Sequence, residues 1–391
     1  MAPDLSAEFG INPAQVGLFG SMYFYAYAIC QLPSGWMADH WGPRKTASVF
    51  LCVAGIGALL FGLSNNFYMA LASRFIIGAG LAFIYISAML LTARWFRLNE
   101  YATYIALLVS FGSFGSLVAS APLVTMMTVI GWRNSMVTIG LITLLVAALF
   151  FILVRDKPEK SEGTVSCVKQ KESLPEINIP KVLKALIKKR EFWTFALLVF
   201  SWVGTLLALH GLWLGPYLMN VYHLSEQQVG NLVMLIAIGA IIGSPLIGLI
   251  TDKVAVSKKK LVMAGVLAML LLLIPLVFFT DIIPQRFLIL FMFLFGLLGY
   301  STVLQWPYLR EIVDISMYGT ASGIINFSAF LGGAVFQLVM GIIITKSPVL
   351  DNYIDPSGFK SAFLFCFIFL TISLAIFSIN KKDARSADLY S

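Results

Sequence analysis

Gly35-Trp36-Met37-Ala38-Asp39-His40-Trp41-Gly42-Pro43-Arg44-Lys45 decides how the rest of this chain is read. An apolar run ends on it, from about residue 14 to 37, and another leaves it, from 46 to 63. Between them stand one acid, Asp39, two cations, Arg44 and Lys45, and a glycine, Gly42, at the corner. Two long apolar runs joined by a short charged turn form a helical hairpin whose turn lies in water and whose arms lie in lipid.

The composition points the same way. Of 391 residues, 59% are hydrophobic and 12% charged, and the mean hydropathy is +0.88. A soluble domain is roughly 45–50% apolar and about 25% charged. These values exclude a soluble enzyme, a nucleic-acid binder, a disordered chain and a secreted disulfide scaffold. Cys30, Cys52, Cys167 and Cys366 lie far apart and form no disulfide framework. With three histidines, no metal site is expected, and no cofactor. No G-x-x-x-x-G-K-[ST], H-E-x-x-H or G-x-S-x-G motif supports ATP hydrolysis or intramembrane hydrolysis. The acidic start, Met1 to Leu5, lacks the basic region of a signal peptide.

Outward from the hairpin, eleven segments are long and apolar enough to span a bilayer, which needs roughly 20 residues. They run near 14–37, 46–63, 67–93, 101–130, 134–154, 192–219, 229–250, 261–279, 287–308, 319–345 and 361–379. The class is therefore all-α and polytopic. Of the 27 Lys and Arg residues, 22 fall in turns on the Arg44 side, four fall on the other, and Arg74 lies within a span. The positive-inside bias puts the Arg44 side in the cytoplasm, the C-terminus inside and the N-terminus of this chain outside the cell membrane. Four segments follow: a five-helix half over 1–154, a linker over 155–191, a six-helix half over 192–380 and a tail over 381–391. In the linker, residues 180–190 read as a basic amphipathic helix with Lys181, Lys184 and Lys188 on one face, suited to anionic headgroups or to a regulatory partner.

The hairpin recurs. At an offset of 213, Gln15-Val16-Gly17 matches Gln228-Val229-Gly230, Gly35 matches Gly248, Asp39 matches Asp252, and Lys45 matches Lys258. Parallel internal repeats are a recurring plan of secondary transporters. The first copy resembles the signature loop of the major facilitator superfamily, G-x-x-x-D-x-x-G-x-[RK]-[RK]. The second copy, Gly248 to Lys260, lacks the middle glycine. Arg74-Phe75-Ile76-Ile77-Gly78-Ala79-Gly80 resembles the R-x-x-x-G-x-G motif of that family's fourth helix. Gly131-Trp132-Arg133 and Arg155-Asp156-Lys157-Pro158 also sit where the family often has them. The glycine-rich Gly-Pro stretch of many drug–proton antiporters is not matched: the chain has Gly112-Ser113-Phe114-Gly115 and later Ala121-Pro122.

The resemblance implies a fold of two pseudo-symmetric helical halves and a gate in the cytoplasmic loop. Gly35 and Gly42 would allow close approach. Asp39 would bond backbone N–H groups at a neighbouring helix start or pair with a cation, and Arg44 and Lys45 would meet carboxylates. Gly248, Asp252 and Lys258 would repeat the arrangement. A plain positive-inside turn is the bland alternative. Arg74, costly to bury, either lines a cavity with Tyr85 three helical turns on, or snorkels to headgroups. Trp202, His210, Trp213 and Tyr217 fall in one arc of a helix that Gly211, Gly215 and Pro216 would unwind. They offer either stacking and hydrogen bonds to a solute or ordinary packing. Tyr23, Tyr27 and Gln31 form an i, i+4, i+8 stripe that the second copy replaces with Ile236, Ala240 and Ser244. Gln305 and Asn326 are further buried polar candidates, or glue between helices.

The expected activity is secondary transport of a small polar organic solute by alternating access. An anionic or zwitterionic solute, such as an organic acid, amino acid or peptide, is preferred, because Arg74 and His210 are the only cationic candidates within the spans and no Asp or Glu stands in the middle of a span to oppose them. A coupling proton or ion stays open, and a monomer is expected. Two rivals stand: a proton-coupled drug exporter, and a non-transporting sensor or channel-like protein, against which the duplicated loop speaks. The repeat also places the first-half counterpart of residues 191–213 before Met1. A first helix is therefore expected to be missing through truncation or a mis-started sequence.

Overall fold

The computed structural model describes residues 2–96, 104, 107–108, 111–112, 114–156, 179–253, 256–314, 317–350 and 353–379. The helices are α1 (Ala2–Phe9), α2 (Pro13–Trp41), α3 (Pro43–Gly62), α4 (Phe67–Leu81), α5 (Ile84–Trp95), α6 (Ala121–Leu153) and α7 (Ile179–Lys188). They continue with α8 (Arg190–Ala208), α9 (Leu214–Val221), α10 (Glu226–Lys253), α11 (Lys258–Phe278) and α12 (Gln285–Gly299). The last are α13 (Gln305–Ile312), α14 (Tyr318–Thr345) and α15 (Pro356–Ile379). A π-turn at Leu209–Trp213 joins α8 to α9, and a 3-10 turn at Tyr300–Leu304 joins α12 to α13. The one departure from all-α among the described residues is a hairpin of two-residue strands, Val349–Leu350 and Tyr353–Ile354.

Nine helices among the described residues are long and apolar enough to cross a membrane, against eleven segments expected. Two differences account for the gap. The 29-residue α2 is long enough, but Tyr23, Tyr25, Tyr27, Gln31 and Ser34 make it too polar to count. The 101–130 segment lies partly outside the described residues, and its later part runs with 134–154 as Phe114–Leu153. Gly131, at φ 78°, interrupts that length, close to the boundary expected from Gly131-Trp132-Arg133.

The chain divides into two compact units, residues 1–11 with 19–177 and residues 12–18 with 178–391. In the first, α3 packs on α4 and α6 through a face of small residues, with Ala47, Ala54 and Ala58 buried. Phe61 closes that core against Phe19 and Trp132, with ring centroids 5.3 and 5.4 Å away. α1 is fastened to it by charge. Glu8 takes Trp132 Nε1–H and Arg133 Nε–H, each at 2.9 Å, while Arg133 Nη1 donates to the carbonyls of Gly62 and Ser64 at 3.1 and 2.6 Å. Those carbonyls end α3 and have no partner within the helix.

In the second unit α8 packs on α14, α10 on α12, and α11 on α15. α7 forms where the basic amphipathic helix is expected. It buries Leu186 and exposes Lys184 and Lys188, and the side chain of Lys181 is outside the described ones.

The repeat has a physical basis. α2 begins at Pro13 and α10 at Glu226, an offset of 213. Each start carries a reciprocal capping box. Asn12 N–H bonds Gln15 Oε1 and Gln15 N–H bonds Asn12 Oδ1, both at 3.0 Å. Ser225 N–H bonds Gln228 Oε1 at 2.9 Å and Gln228 N–H bonds Ser225 Oγ at 3.3 Å. The matching glutamines are thus caps. The halves also share a helix crossing. A Cβ on Gly78 would collide with the Tyr23 carbonyl, and one on Gly296 with the Ile236 carbonyl. Tyr23 and Ile236 are again 213 apart, and both crossing helices break three residues later, after Leu81 and after Gly299.

Gly296→Ala should therefore lower the temperature at which the protein loses its monodisperse state in detergent, an overpacking cost of about 1–3 kcal/mol. Gly248→Ala, where a Cβ would meet nothing within 4 Å, should leave that temperature unchanged or raised. Equal shifts for the two would refute the crossing as a packing constraint.

Candidate functional site

Arg74 is half-buried on α4, seven residues past Phe67. Its guanidinium carbon lies 4.6 Å from the ring centroid of Phe19 and 5.4 Å from that of Phe61. Tyr23 is within electrostatic reach. Arg74 Nε is shielded from solvent and has no hydrogen-bond partner. The side chain thus turns into its own unit, where π-faces balance part of its charge and its N–H groups meet no carboxylate among the described residues.

Tyr85 lies beyond a break in the helix, which stops at Leu81 and restarts at Ile84, with Ala82 and Phe83 still in right-handed backbone. Tyr85 remains within electrostatic reach of Tyr27, whose ring lies 6.0 Å from that of Tyr23. Gln31, one turn on, is 8% exposed, and its Oε1 has no partner. The tyrosine–glutamine stripe thus stays on one helix, with its last member unsatisfied.

In the second unit the expected aromatic arc separates. Trp202, Trp213 and Tyr217 are each at most 1% exposed and belong to the core. The Trp202 ring fills the space above Gly265, Trp213 Nε1 donates to the Gln337 carbonyl at 3.0 Å, and Tyr217 Oη donates to the Thr280 carbonyl at 2.6 Å. The π-turn accounts for the change, since a wider turn rotates everything after it. Unwinding falls at Gly211, whereas Gly215 and Pro216 lie inside α9. His210, on the π-turn, is part-buried and sits 3.1 Å from Tyr300 Oη through Nδ1. Gln305, opening α13, is 9% exposed with Oε1 unpartnered, and Asn326 is half-buried on α14.

The Gly42 turn is built around an acid that the spacing did not single out. Gly42, at φ 86°, precedes Pro43 at the start of α3, and the carboxylate of Asp156 packs where a Gly42 side chain would be. Asp156 Oδ1 accepts from the Arg44 backbone N–H at 2.8 Å, an acid on the positive end of a helix. Arg44 Nε donates to the Phe151 carbonyl at 2.7 Å, and its guanidinium carbon lies 4.5 Å from the Phe151 ring centroid. Trp95 Nε1 donates to the Arg155 carbonyl at 2.8 Å. Asp39 and Lys45 are exposed, and Asp39 has no bonded partner among the described residues. A Cβ on Gly35 or on Gly248 would meet open space, so of the loop glycines Gly42 alone permits a close approach. Lys258 opens α11, and the Asp252 side chain is outside the described ones.

A glycine-cornered loop capped by an acid from the end of a later span, helix starts repeated at an offset of 213 and, among the described residues, nine helices long and apolar enough to span agree with the family model described as Major Facilitator Superfamily, which matches residues 1–337. The chain belongs to the Major Facilitator Superfamily. It is a multi-pass membrane transporter and not an enzyme. It is 23% identical over 363 residues to the probable sulfoacetate transporter SauU of Cupriavidus necator, covering 90% of this chain and 83% of that one. It is 26% identical to the sialic acid transporter NanX of Escherichia coli, over 90% and 80% of the two chains, and 23% identical to a probable L-galactonate transporter of Escherichia coli, over 86% and 76%. A bacterial homologue of the human lysosomal transporter Spinster, solved inward-facing and occupied, superposes with a TM-score of 0.74 at 17% identity, over 97% of this chain and 90% of that one.

Within this superfamily member the residues missed by sequence reasoning are Asp156, Tyr300 and Gln337. Asp156 was visible in Arg155-Asp156-Lys157-Pro158. Tyr300 carried no local signal, because it matters only through a helix break. Asp156→Ala should remove a helix cap worth about 1 kcal/mol and lower the thermal midpoint in detergent, while Asp39→Ala should leave it unmoved. A midpoint indifferent to Asp156 would contradict the capping role.

Proposed function

We propose that this chain is a secondary transporter of small organic anions in the cell membrane, with Arg74 as the group that holds the anionic end of the solute. The observation that carries this reading is Arg74 itself, a guanidinium within a span, bracketed by Phe19 and Phe61, with Nε unbonded. A buried cation is expensive and is kept for a task. Aromatic faces temper its charge yet accept none of its in-plane N–H bonds as a carboxylate or sulfonate does, and the guanidinium fork fits such groups two bonds at a time. The solutes named for the relatives favour this class: sulfoacetate, L-galactonate and sialic acid are all acids ionised at neutral pH.

Transport proceeds by alternating access in a monomer, and the Gly42 turn, on the cytoplasmic side, serves as a gate. In it the Asp156 cap on α3 and the Arg44 bond to the Phe151 carbonyl hold the ends of two spans together. A set of bonds made in one state and released in the other is the physical content of a gate.

Thermal-shift measurements on purified protein against a panel of organic anions test the assignment. A bound solute at 100 times its Kd should stabilise by about 2.7 kcal/mol. Arg74→Lys should keep part of the shift and Arg74→Gln should lose it. A solute that stabilises all three proteins equally would remove Arg74 from the site.

A further inference from the structure

Within the second unit α10 and α12 touch backbone to backbone midway along their length. A Cβ on Gly239 would collide with the Phe293 carbonyl and one on Gly243 with the Leu297 carbonyl, as one on Gly296 would with that of Ile236. Toward the starts of both helices this contact opens into a cavity of about 630 Å³. Sites that hold small organic ligands run from roughly 300 to 1,000 Å³. The cavity's mouth is fastened. Tyr222 Oη, in the turn before α10, donates to the Thr280 carbonyl at 3.1 Å and accepts the Ile283 N–H at 3.2 Å, in the loop that leads into α12.

The lining is graded in polarity. Gln228 and Asn231 on α10 and Gln285 and Arg286 on α12 line it near the helix starts. Leu235, Leu288 and Ile289 line it one turn further in. Two of the amides have spent their oxygens. Gln228 Oε1 takes the Ser225 N–H at 2.9 Å, and Asn231 Oδ1 faces Gln227 Nε2 at 3.5 Å. What these two amides have left is N–H donors, and Arg286 adds a guanidinium, which only donates. None of the ten described lining residues is acidic. Donors with a cation complement a group that only accepts and carries negative charge, such as a phosphate, which guanidinium meets two bonds at a time.

We propose that this cavity binds an anionic phospholipid of the bilayer, with the phosphate on Arg286 and the two amides and the start of an acyl chain along Leu235, Leu288 and Ile289. The proposal does not rest on the anion reading of Arg74. The apolar end of the cavity leads onto open surface: Ile289 is exposed, and so are its neighbours Phe287 and Leu290. Contiguous apolar surface of this kind on a spanning helix meets acyl chains. A soluble phosphate would use the donors and leave the apolar end empty. A zwitterionic lipid would bring an ammonium group that no lining carboxylate meets. The starts of α10 and α12 lie at the ends of these helices opposite the Lys258–Lys260 turn, so the positive-inside bias assigns the lipid to the outer leaflet. Basic pockets between spanning helices hold anionic headgroups by the same chemistry.

Native mass spectrometry of the purified full chain, released from detergent, tests the assignment through the Kd of the first lipid adduct. The probes are palmitoyl-oleoyl phosphatidylglycerol, phosphatidylcholine with the same chains, and glycerol phosphate, which carries the phosphate without chains. Phosphatidylglycerol should bind at least fivefold more tightly than phosphatidylcholine. Arg286→Gln should bring it to the level of phosphatidylcholine, and Leu235→Trp, which fills the apolar end, should weaken both lipids. Lys346→Gln, at a cation of the same unit outside the lining, should bind as the wild type does. Equal affinity for the two lipids would overturn the proposal, as would wild-type binding by Arg286→Gln or by Leu235→Trp. A loss in Lys346→Gln as large as in Arg286→Gln would reduce the effect to general charge and overturn the site. Displacement of phosphatidylglycerol by an equal concentration of glycerol phosphate would make this a soluble-anion site and overturn the lipid assignment.

Discussion

A backbone carbonyl or N–H group released inside a bilayer has no water to turn to, so each break in a spanning helix must be met by protein. Much of the polar chemistry of this chain goes to freed backbone groups, at breaks within spans and at the water-facing helix ends alike. Gln337 takes up the Leu207 carbonyl at the π-turn, Arg133 the Gly62 and Ser64 carbonyls, and Asp156 the Arg44 N–H. Gln15 and Gln228 cap helix starts. Set aside the groups so committed, and the polar side chains within the described long helices that remain partly open include Arg74, Gln31, Gln305 and the His210–Tyr300 pair. Satisfying the backbone is the default use of a polar group in lipid, and the groups left over are the ones free for other tasks.

The two halves share scaffolding and differ in chemistry. Their capping boxes coincide at the offset of 213, as do Tyr23 and Ile236 at the crossings, while the crossing glycines, Gly78 and Gly296, stand 218 apart. Counting from the crossing glycines, Arg74 stands four residues before Gly78, where the second unit has Met292 before Gly296. Tyr300 stands four residues after Gly296, where the first has Ala82 after Gly78. The duplicated frame fixes where helices cross and break. The positions around each crossing were free to diverge, one half gaining a cation and the other a neutral hydroxyl partner.

The spans, the hairpin loop and the amphipathic linker helix were legible because they rest on composition and short spacing, which lipid and water enforce locally. The phase of side chains beyond a break was not. Tyr85 was aligned with Arg74 through Ala82 and Phe83, and Trp213 with His210 through the π-turn, on the assumption of unbroken 3.6-residue periodicity. A chain with Gly211 inside an apolar run gives no local sign of whether the helix widens there. The decision belongs to Gln337, more than a hundred residues away in sequence. The capping boxes were readable in principle, as Asn-x-x-Gln and Ser-x-x-Gln before apolar runs, but a matching glutamine invites a functional reading first.

The Gly42 turn shows why its motif is spaced as it is. A carboxylate reaches the first N–H groups of a helix only if the residue before the helix leaves it room. Gly42 gives that room and adopts the positive φ that turns the chain into Pro43. Arg44 then spends its main-chain N–H on Asp156 and its side chain on Phe151, so both of its polar ends bind the close of one later span. Asp39 is left exposed. In the second copy Ala255 stands at the offset of Gly42, and α11 starts instead behind Ser257 at φ −51° with no side-chain cap. The first loop is thus a bonded corner, whereas α11 starts without a side-chain cap.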